Sequence, residues 1–260
     1  MALADFQHAL SSLVMSPPFR AQVAESPDEA LAGFDLSGRE RERLVAVARD
    51  PGARTGTLIH RSFRLSMLSN TLPRTCKALG AQGIKDLVHA YWLEQPPRSL
   101  LYVREGLRFG EWALARMRED GFRHDLLPEV LEAEMAILEL SRQEAWEGGE
   151  PVVSAPSLHP RVRIVRFRRD PDVVLPELAA GRLPEGLEEG EHYLIVRTPR
   201  PGEVTLGRLA PEVGRLVCPE PAAALLDEDL TWDLAEAGIL LLPPDGRSAP
   251  ISSTEVVEAL

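Results

Sequence analysis

The sequence predicts a mainly α-helical protein in which a helical bundle is followed by a small α+β domain with a winged-helix-like order of elements. Before Pro151, apolar residues recur at helical spacing in one segment after another. After it, short strand patterns alternate with short helices. We therefore expect a helical bundle at 1–148 and the α+β domain at 158–243. The Gly-, Pro- and Ser-rich segment 147–160 would join them, and 244–260 would be a loose tail.

The helical half is predicted from apolar periodicity and from the residues that begin and end helices. Ser37 is a favourable N-cap, and Glu40 three residues later completes a capping box. Pro73 and the pair Pro96-Pro97 interrupt the pattern, so we expect breaks there. The predicted helices cover 3–15, 18–24, 38–49, 55–71, 84–94, 98–119 and 125–146.

The second half begins with alternating residues from Val162 to Phe167, which predict a strand. A helix at 171–180 should end at Gly181. Strands at 192–198 and 204–206 should form a hairpin, because Pro201-Gly202 between them is typical of a tight turn. Short helices are expected after the hairpin, at 209–217, 221–226 and 230–237, followed by the apolar run 239–242.

Composition excludes several classes of function. The formal net charge is −11, and both halves have more acidic than basic residues, so nucleic acid is an improbable partner. Cys76 and Cys218 are the only cysteines, which excludes a disulfide framework. No apolar run approaches the roughly 20 residues that cross a bilayer, and the N-terminus does not resemble a signal peptide. We expect a cytoplasmic protein that does not bind membranes.

Motifs that carry chemistry are missing from the sequence. It contains no P-loop, GxGxxG, GxSxG, HExxH or paired CxxC pattern. Two carboxylates, Glu111 and Glu134, fall on apolar helix stripes, and inward carboxylates can hold metal in helical bundles. The simpler interpretation is that each is compensated by an arginine, because a buried charge requires a partner. The candidate arginines are Arg61, Arg64, Arg74 and Arg104.

Five arginines lie within nine residues at Arg161, Arg163, Arg166, Arg168 and Arg169. In a winged module they would be positioned to contact DNA. They alternate with apolar residues, however, and acidic residues follow at once, which favours the solvated face of a strand. An acidic peptide is a third possible partner.

Several segments together suggest a family. In the helical half these are FQHALSSLVMSPPFRAQVAESPDEALAGFDLSGRERERL, RSFRLSMLSNTLPRTCKALG, YVREGLRFGEWALARM and LPEVLEAEMAILEL. In the second half VRIVRFRRDPDVVLPELAAG, HYLIVRTPRPGEVTLGRLAP and LTWDLAEAGILLL fit the same pattern. Through these segments, which cover most of 6–242, the chain resembles the MbnC-like partner proteins of DUF692-type iron oxidases in ribosomal peptide natural-product biosynthesis.

The resemblance implies a non-catalytic subunit in a heterodimer with a TIM-barrel oxidase. The iron would be in the oxidase, and this chain would hold no cofactor. The second domain would act as a recognition element for the leader of a Cys-containing precursor peptide, whose core cysteine is presented to the oxidase. The alternative is a winged-helix DNA-binding transcriptional regulator.

The residues themselves suggest where a peptide would bind. The last strand of the hairpin is the expected edge of a three-stranded sheet, and an unpaired edge can recruit another strand. A following helix should supply the apolar wall of a groove beside this edge. The predicted peptide-binding residues are Glu203, Val204, Thr205, Leu206, Gly207, Leu230, Leu234 and Ala237.

Overall fold

The computed structural model describes residues 2–95, 105–119, 126–142, 151–218, 221 and 225–244. The chain divides into two units, Met1–Phe122 and Arg123–Leu260, here called the helical unit and the sheet unit. The protein is mainly helical with a small antiparallel sheet, as the sequence predicts. Residues 147–150 of the predicted linker 147–160 and nearly all of the predicted tail lie outside the described residues.

The helical unit has seven helices among its described residues. They are α1 (Ala2–Met15), α2 (Pro17–Glu25), α3 (Pro27–Ala30), α4 (Gly38–Arg49), α5 (Ala53–Thr71), α6 (Pro73–Glu94) and α7 (Glu105–Glu119). The predicted capping box begins α4, where the Ser37 side chain accepts from the Glu40 N–H and the Glu40 carboxylate accepts from the Ser37 N–H. Within α6, Gly80 has φ 67°, a conformation that glycine adopts readily, and there the helix breaks into two segments.

Two groups of buried residues stabilise the helical unit. Helices α1 to α4 share an apolar cluster that includes Leu13, Val23 and Leu44. In α7 the buried side chains Glu105, Phe109, Ala113 and Met117 are four residues apart, and Gly106 and Gly110 beside them are also buried, so a single stripe faces inward. The predicted start of this helix, 98–104, lies outside the described residues.

The sheet unit combines helices and strands. Its elements are α8 (Leu127–Ser141), β1 (Ser157–Leu158), β2 (Val162–Phe167), α9 (Pro171–Ala179), β3 (His192–Arg200), β4 (Glu203–Leu209), α10 (Pro211–Val217), α11 (Glu228–Glu236) and β5 (Leu240–Leu241). Strand β2 has the predicted bounds. Strands β3 and β4 form the predicted hairpin, and each extends beyond its predicted end.

Strands β2, β3 and β4 form an antiparallel sheet in that order, so β3 is central and β4 lies at an edge. Four consecutive residues of β3, from Tyr193 to Val196, are buried. Because successive strand residues point to opposite faces, both faces of the sheet are covered. Helices α10 and α11 cover the face that carries Tyr193 and Ile195. Helix α8 contacts all three strands, and α9 contacts β3.

The position of α8 differs from the sequence-based boundary. The sequence placed this helix in a bundle ending at 148, whereas the division between the units precedes it and α8 packs on the sheet. The helix is buried along most of its length, and its buried residues include Ala133, Met135 and Ala136 besides the predicted apolar stripe. Alanines are too small to distinguish a buried helix face by periodicity, so the second buried face of α8 was not predicted.

The predicted apolar run at 239–242 contributes strand β5, which pairs antiparallel with β1. Strand β1 was not predicted from the sequence, because a two-residue strand is too short to show alternation. The predicted helix 221–226 lies mostly outside the described residues. Within the described ranges, none of the helices combines the length and apolar character required to cross a membrane.

Candidate functional site

The candidate site is the edge strand β4 and the turn that precedes it. Arg200 pairs with Glu203, so Pro201-Gly202 is a two-residue connection between β3 and β4. Gly202 has φ 78°, which residues other than glycine rarely adopt, and proline is favoured at the preceding position of such a turn. A register shift between Arg197 and Arg200 adds an irregularity next to the turn.

Strand β4 is much more accessible than β3. Glu203 is exposed, Val204, Thr205 and Gly207 are half-buried, and Leu206 is 46% exposed. Only Leu209, at the end of the strand, is fully buried. An accessible edge strand with an exposed leucine is a surface on which an extended peptide could add as a further strand.

The register assigns the side chains of β4 to the two faces of the sheet. Thr205 lies opposite Arg197 and Gly207 opposite Ile195, on the face covered by α10 and α11. A Cβ at Gly207 would lie 3.2 Å from Cγ2 of Ile195, so glycine leaves room for the isoleucine. Leu206 lies opposite Val196 on the other face. A peptide added to β4 would therefore have neighbours on both faces.

The residues of the predicted groove wall lie in or against the core of the sheet unit. Leu230 and Ala237 are partly buried and pack against the core that contains Tyr193, Ile195 and Leu209. Leu234 is fully buried in that core and has no surface to offer a peptide. Leu234 is therefore not a peptide-binding residue, because the apolar face of the nine-residue helix α11 packs on the core of the sheet unit.

The contact between Tyr193 and α10 fixes this side of the sheet. A Cβ at Gly214 would come within 2.2 Å of the Tyr193 ring, so only glycine permits the ring to lie on the helix backbone. The Tyr193 hydroxyl donates to Glu191 Oε1 at 2.9 Å, and Arg215 Nε donates to Glu191 Oε2 at 2.5 Å. The hydrogen bond from Arg215 is the main cause that lowers the pKa of Glu191. No local pattern marks this arrangement, because Gly214 lies within an ordinary helical segment.

Four of the five clustered arginines have carboxylate partners. The distances from a guanidinium nitrogen to a carboxylate oxygen are 3.4 Å for Arg163 and Glu139 and 3.0 Å for Arg166 and Glu191. They are 2.6 Å for Arg168 and Glu129 and 3.4 Å for Arg169 and Glu189. The side chains of these arginines are between 20% and 63% exposed. The expected partly solvated surface is present, and its positive charge is compensated locally.

The predicted pair of inward carboxylates is corrected. Glu134 is buried, but Glu111 is exposed, and the two residues belong to different units. Two residues from Phe109 correspond to about 200° around a helix, so Glu111 lies opposite the buried stripe of α7.

The buried carboxylate of α7 is instead Glu105, whose Oε1 accepts from Nε of Arg64 at 2.7 Å and also from Nη2. Arg64 is among the arginines that the sequence proposed as partners for an inward glutamate. Glu105 was not predicted to be buried, because the predicted apolar stripe contained other residues of the helix.

Cys76 and Cys218 are both half-buried, and neither forms a disulfide. Burial raises the pKa of Cys218, whose Sγ lies 3.6 Å from the carbonyl oxygen of Ile164. Over the described ranges, no three His, Cys, Asp or Glu side chains are grouped as metal ligands would be. That this chain holds no cofactor stays a prediction.

Comparison with known proteins leaves the family open. A scan against protein-family models finds no match to the chain. A search of curated proteins finds no relative either. The resemblance to MbnC-like partner proteins therefore stays a prediction from the quoted segments.

Proposed function

We propose that the chain is a non-catalytic partner subunit that binds the leader of a ribosomally made precursor peptide through β4. It would present the core cysteine of that peptide to a DUF692-type iron-dependent oxidase, which would hold the iron. The observation that carries this proposal is the accessible edge of the sheet at Glu203–Gly207, where Leu206 is 46% exposed. The cytoplasm, where precursor peptides are made, is the proposed location.

Strand addition fits this edge physically. Main-chain hydrogen bonds provide affinity for an extended peptide, while pockets for alternate side chains select its register. Thr205 and Gly207 are half-buried beside the core that includes Leu230, so a small apolar side chain of the peptide would find apolar neighbours there. In the winged-helix-like arrangement that belongs to this proposal, the β3–β4 hairpin is the wing.

The helical unit offers a surface suited to docking on the oxidase. Apart from Arg54, whose side chain is not described, every exposed residue of α5 is uncharged. These residues are Thr55, Leu58, Ile59, Ser62, Phe63, Ser66 and Asn70. Leu58, Ile59 and Phe63 are each more than half exposed. In a chain with 27% charged residues, an uncharged helix face with three exposed large apolar side chains is typical of a protein-binding surface.

Proline substitution tests the peptide site. Adjacent strand residues direct their N–H groups to opposite edges, so of Thr205 and Leu206 one donates toward β3 and the other toward the free edge. We expect one of the variants Thr205→Pro and Leu206→Pro to disrupt the hairpin. The other should stay folded and bind the leader of the neighbouring precursor gene at least about tenfold more weakly. Unchanged affinity in the variant that stays folded would refute the placement.

A charge on α5 tests the docking surface separately. Phe63→Glu should abolish co-purification with the co-expressed oxidase, whereas Leu183→Glu, at an exposed leucine of the sheet unit, should leave it unchanged. Co-purification with both variants would exclude this face of α5. Genes for a DUF692 protein and a small Cys-containing precursor beside this gene would support the whole proposal, and their absence would weaken it.

The alternative function, a winged-helix transcriptional regulator, has little support from the described residues. DNA binding through the strand at 161–169 requires free cations, and four of its five arginines contact carboxylates. A salt-dependent shift of duplex DNA by the purified chain would nevertheless favour the regulator.

A further inference from the structure

Three arginines of the helical unit lie near one another, and one of them is paired with a carboxylate. Arg64 on α5 forms the buried ion pair with Glu105. Arg61, one turn earlier on the same helix, experiences the positive charges of both Arg64 and Arg20, and Arg20 belongs to α2. The group therefore has a surplus of positive charge, although the chain as a whole is acidic.

Arg20 and Arg61 are each held in place by a neutral group. Nη1 of Arg20 donates to Oγ1 of Thr57 at 2.8 Å, and that hydroxyl donates in turn to the carbonyl of Ala53 at 3.0 Å. The Arg61 guanidinium lies 5.4 Å from the centre of the Trp92 ring, a cation–π distance. Both guanidinium groups are thus positioned before any ligand binds.

Neither of these two arginines forms an ion pair with a carboxylate of the described residues. This differs from Arg64, which pairs with Glu105, and from the four clustered arginines of the sheet unit that have carboxylate partners. In addition, Nε of Arg61 and Nε1 of Trp92 are buried and have no hydrogen-bond acceptor among the described residues. Buried donors in native proteins nearly always have an acceptor, so these two indicate that a partner is missing. Burial and the neighbouring positive charges lower the pKa of Arg61.

We propose that Arg20 and Arg61 form a binding site for an oxyanion, the carboxylate or phosphate group of a ligand, with Thr57 and Trp92 as positioning residues. Planar guanidinium groups bind both kinds of oxyanion by two parallel hydrogen bonds. An anion between them would also relieve the repulsion among the three cations. The site lies in the helical unit and is independent of the peptide site on β4.

The test is a titration with inorganic phosphate at constant ionic strength, followed by the indole N–H resonance of Trp92 and by calorimetry. We expect saturable binding that shifts this resonance. Arg61→Gln and Arg20→Gln should each raise the dissociation constant by about tenfold or more. Arg39→Gln, at an exposed arginine of α4 in the same unit, should bind like the native chain. Equal weakening in all three variants, or no saturation, would overturn the proposal.

A second titration distinguishes the source of the oxyanion. The blocked peptide acetyl-Glu-Glu-Glu-amide replaces phosphate under the same conditions. Tighter binding of the peptide identifies an acidic protein segment as the ligand, and tighter binding of phosphate identifies a phosphorylated compound.

Stability measurements separate a ligand site from a packing contact. Without ligand at low salt, Arg61→Gln should leave the melting temperature unchanged or raise it, because a repulsive charge is removed. A marked fall in melting temperature that Arg61→Lys does not restore, together with unaltered phosphate binding, would make Arg61 a structural residue and overturn the assignment.

Discussion

Tyr91 in the helical unit and Tyr193 in the sheet unit are both almost completely buried, but their surroundings differ. The Tyr91 ring lies 5.8 Å from the Arg64 guanidinium, which is buried together with Glu105. The Tyr193 ring lies on the glycine backbone of α10, and its hydroxyl reaches the surface carboxylate of Glu191. The helical unit therefore contains a charge pair in its core, whereas the charges around Tyr193 remain at the surface.

This difference predicts two kinds of dependence on sequence. A buried ion pair stabilises only while both partners are present, because a single buried charge is costly. An apolar core with a close ring-to-backbone contact depends on shape instead. Substitutions in the helical unit should therefore act through charge, and substitutions in the sheet unit through shape. Four measurements test this comparison.

The largest effect is expected for Arg64→Met. Arg64 is 1% exposed and Glu105 is 5% exposed, so the substitution leaves a buried carboxylate without its partner. Breaking a buried pair in this way costs about 3–5 kcal/mol of the free energy of unfolding. Urea unfolding of the native chain and of the variant, followed in the helical unit, measures this loss of free energy.

The double variant Arg64→Met/Glu105→Leu is the control for this measurement. Removing both charges should recover much of the lost stability, since apolar replacements of a buried pair are often close to neutral. If the double variant is as unstable as the single one, the loss arises from packing around Arg64 and not from the charge.

Alkaline pH provides the second test. Burial, and to a smaller extent the Glu105 charge, raises the pKa of Tyr91 from its ordinary value near 10 to about 12, while Arg64 opposes the shift. Because the folded state favours the neutral phenol, the contribution of Tyr91 to the free energy of unfolding is complete below about pH 10. It is lost as the pH rises towards 12. We expect the difference in stability between the native chain and Tyr91→Phe to fall by about 2–3 kcal/mol across that range.

The sequence predicted local structure better than it predicted the packing of elements. The capping box at Ser37 and the turn at Pro201-Gly202 involve neighbouring residues, so their signals are complete in the sequence. The position of α8 on the sheet and the burial of Leu234 depend on contacts between distant segments. Periodicity shows that a helix has an apolar face, but it does not show what the face meets.

The candidate site illustrates the same limit. The edge position of β4 followed from the order of the strands and the tight turn, so the sequence was sufficient. The pairing of Arg64 with Glu105 joins residues 41 positions apart, and no short-range pattern marks it. Four of the five arginines that cluster in the sequence at 161–169 have carboxylate partners. Arg20 and Arg61 are 41 positions apart and lie near each other without such partners.

A smaller effect is expected for Gly214→Ala in the sheet unit. The new Cβ would lie 2.2 Å from atoms of the Tyr193 ring, so the ring or the helix must move. Overpacking costs about 1–3 kcal/mol, and the higher helix propensity of alanine offsets up to about 1 kcal/mol of it. A net loss of about 1–2 kcal/mol should therefore appear in thermal unfolding.

Gly56→Ala is the matched control for the glycine substitution. Gly56 is also helical, but a Cβ there would have no atom within 4 Å. Alanine should then be neutral or stabilising by up to about 1 kcal/mol. Equal effects at the two positions would mean that the contact with Tyr193 contributes nothing.

The smallest effect is expected for Arg166→Gln, which removes one arginine from the clustered run. Arg166 is 63% exposed, and its partner Glu191 would keep its hydrogen bonds from Arg215 and Tyr193. Exposed ion pairs contribute little, so the melting temperature should stay within experimental error.

Arg215→Gln, which removes the main cause of the low pKa of Glu191, should raise that pKa more than Arg166→Gln does. NMR titration of the Glu191 carboxylate compares the two variants. A larger rise in Arg166→Gln would show that the clustered arginine, and not Arg215, is the main partner of this carboxylate.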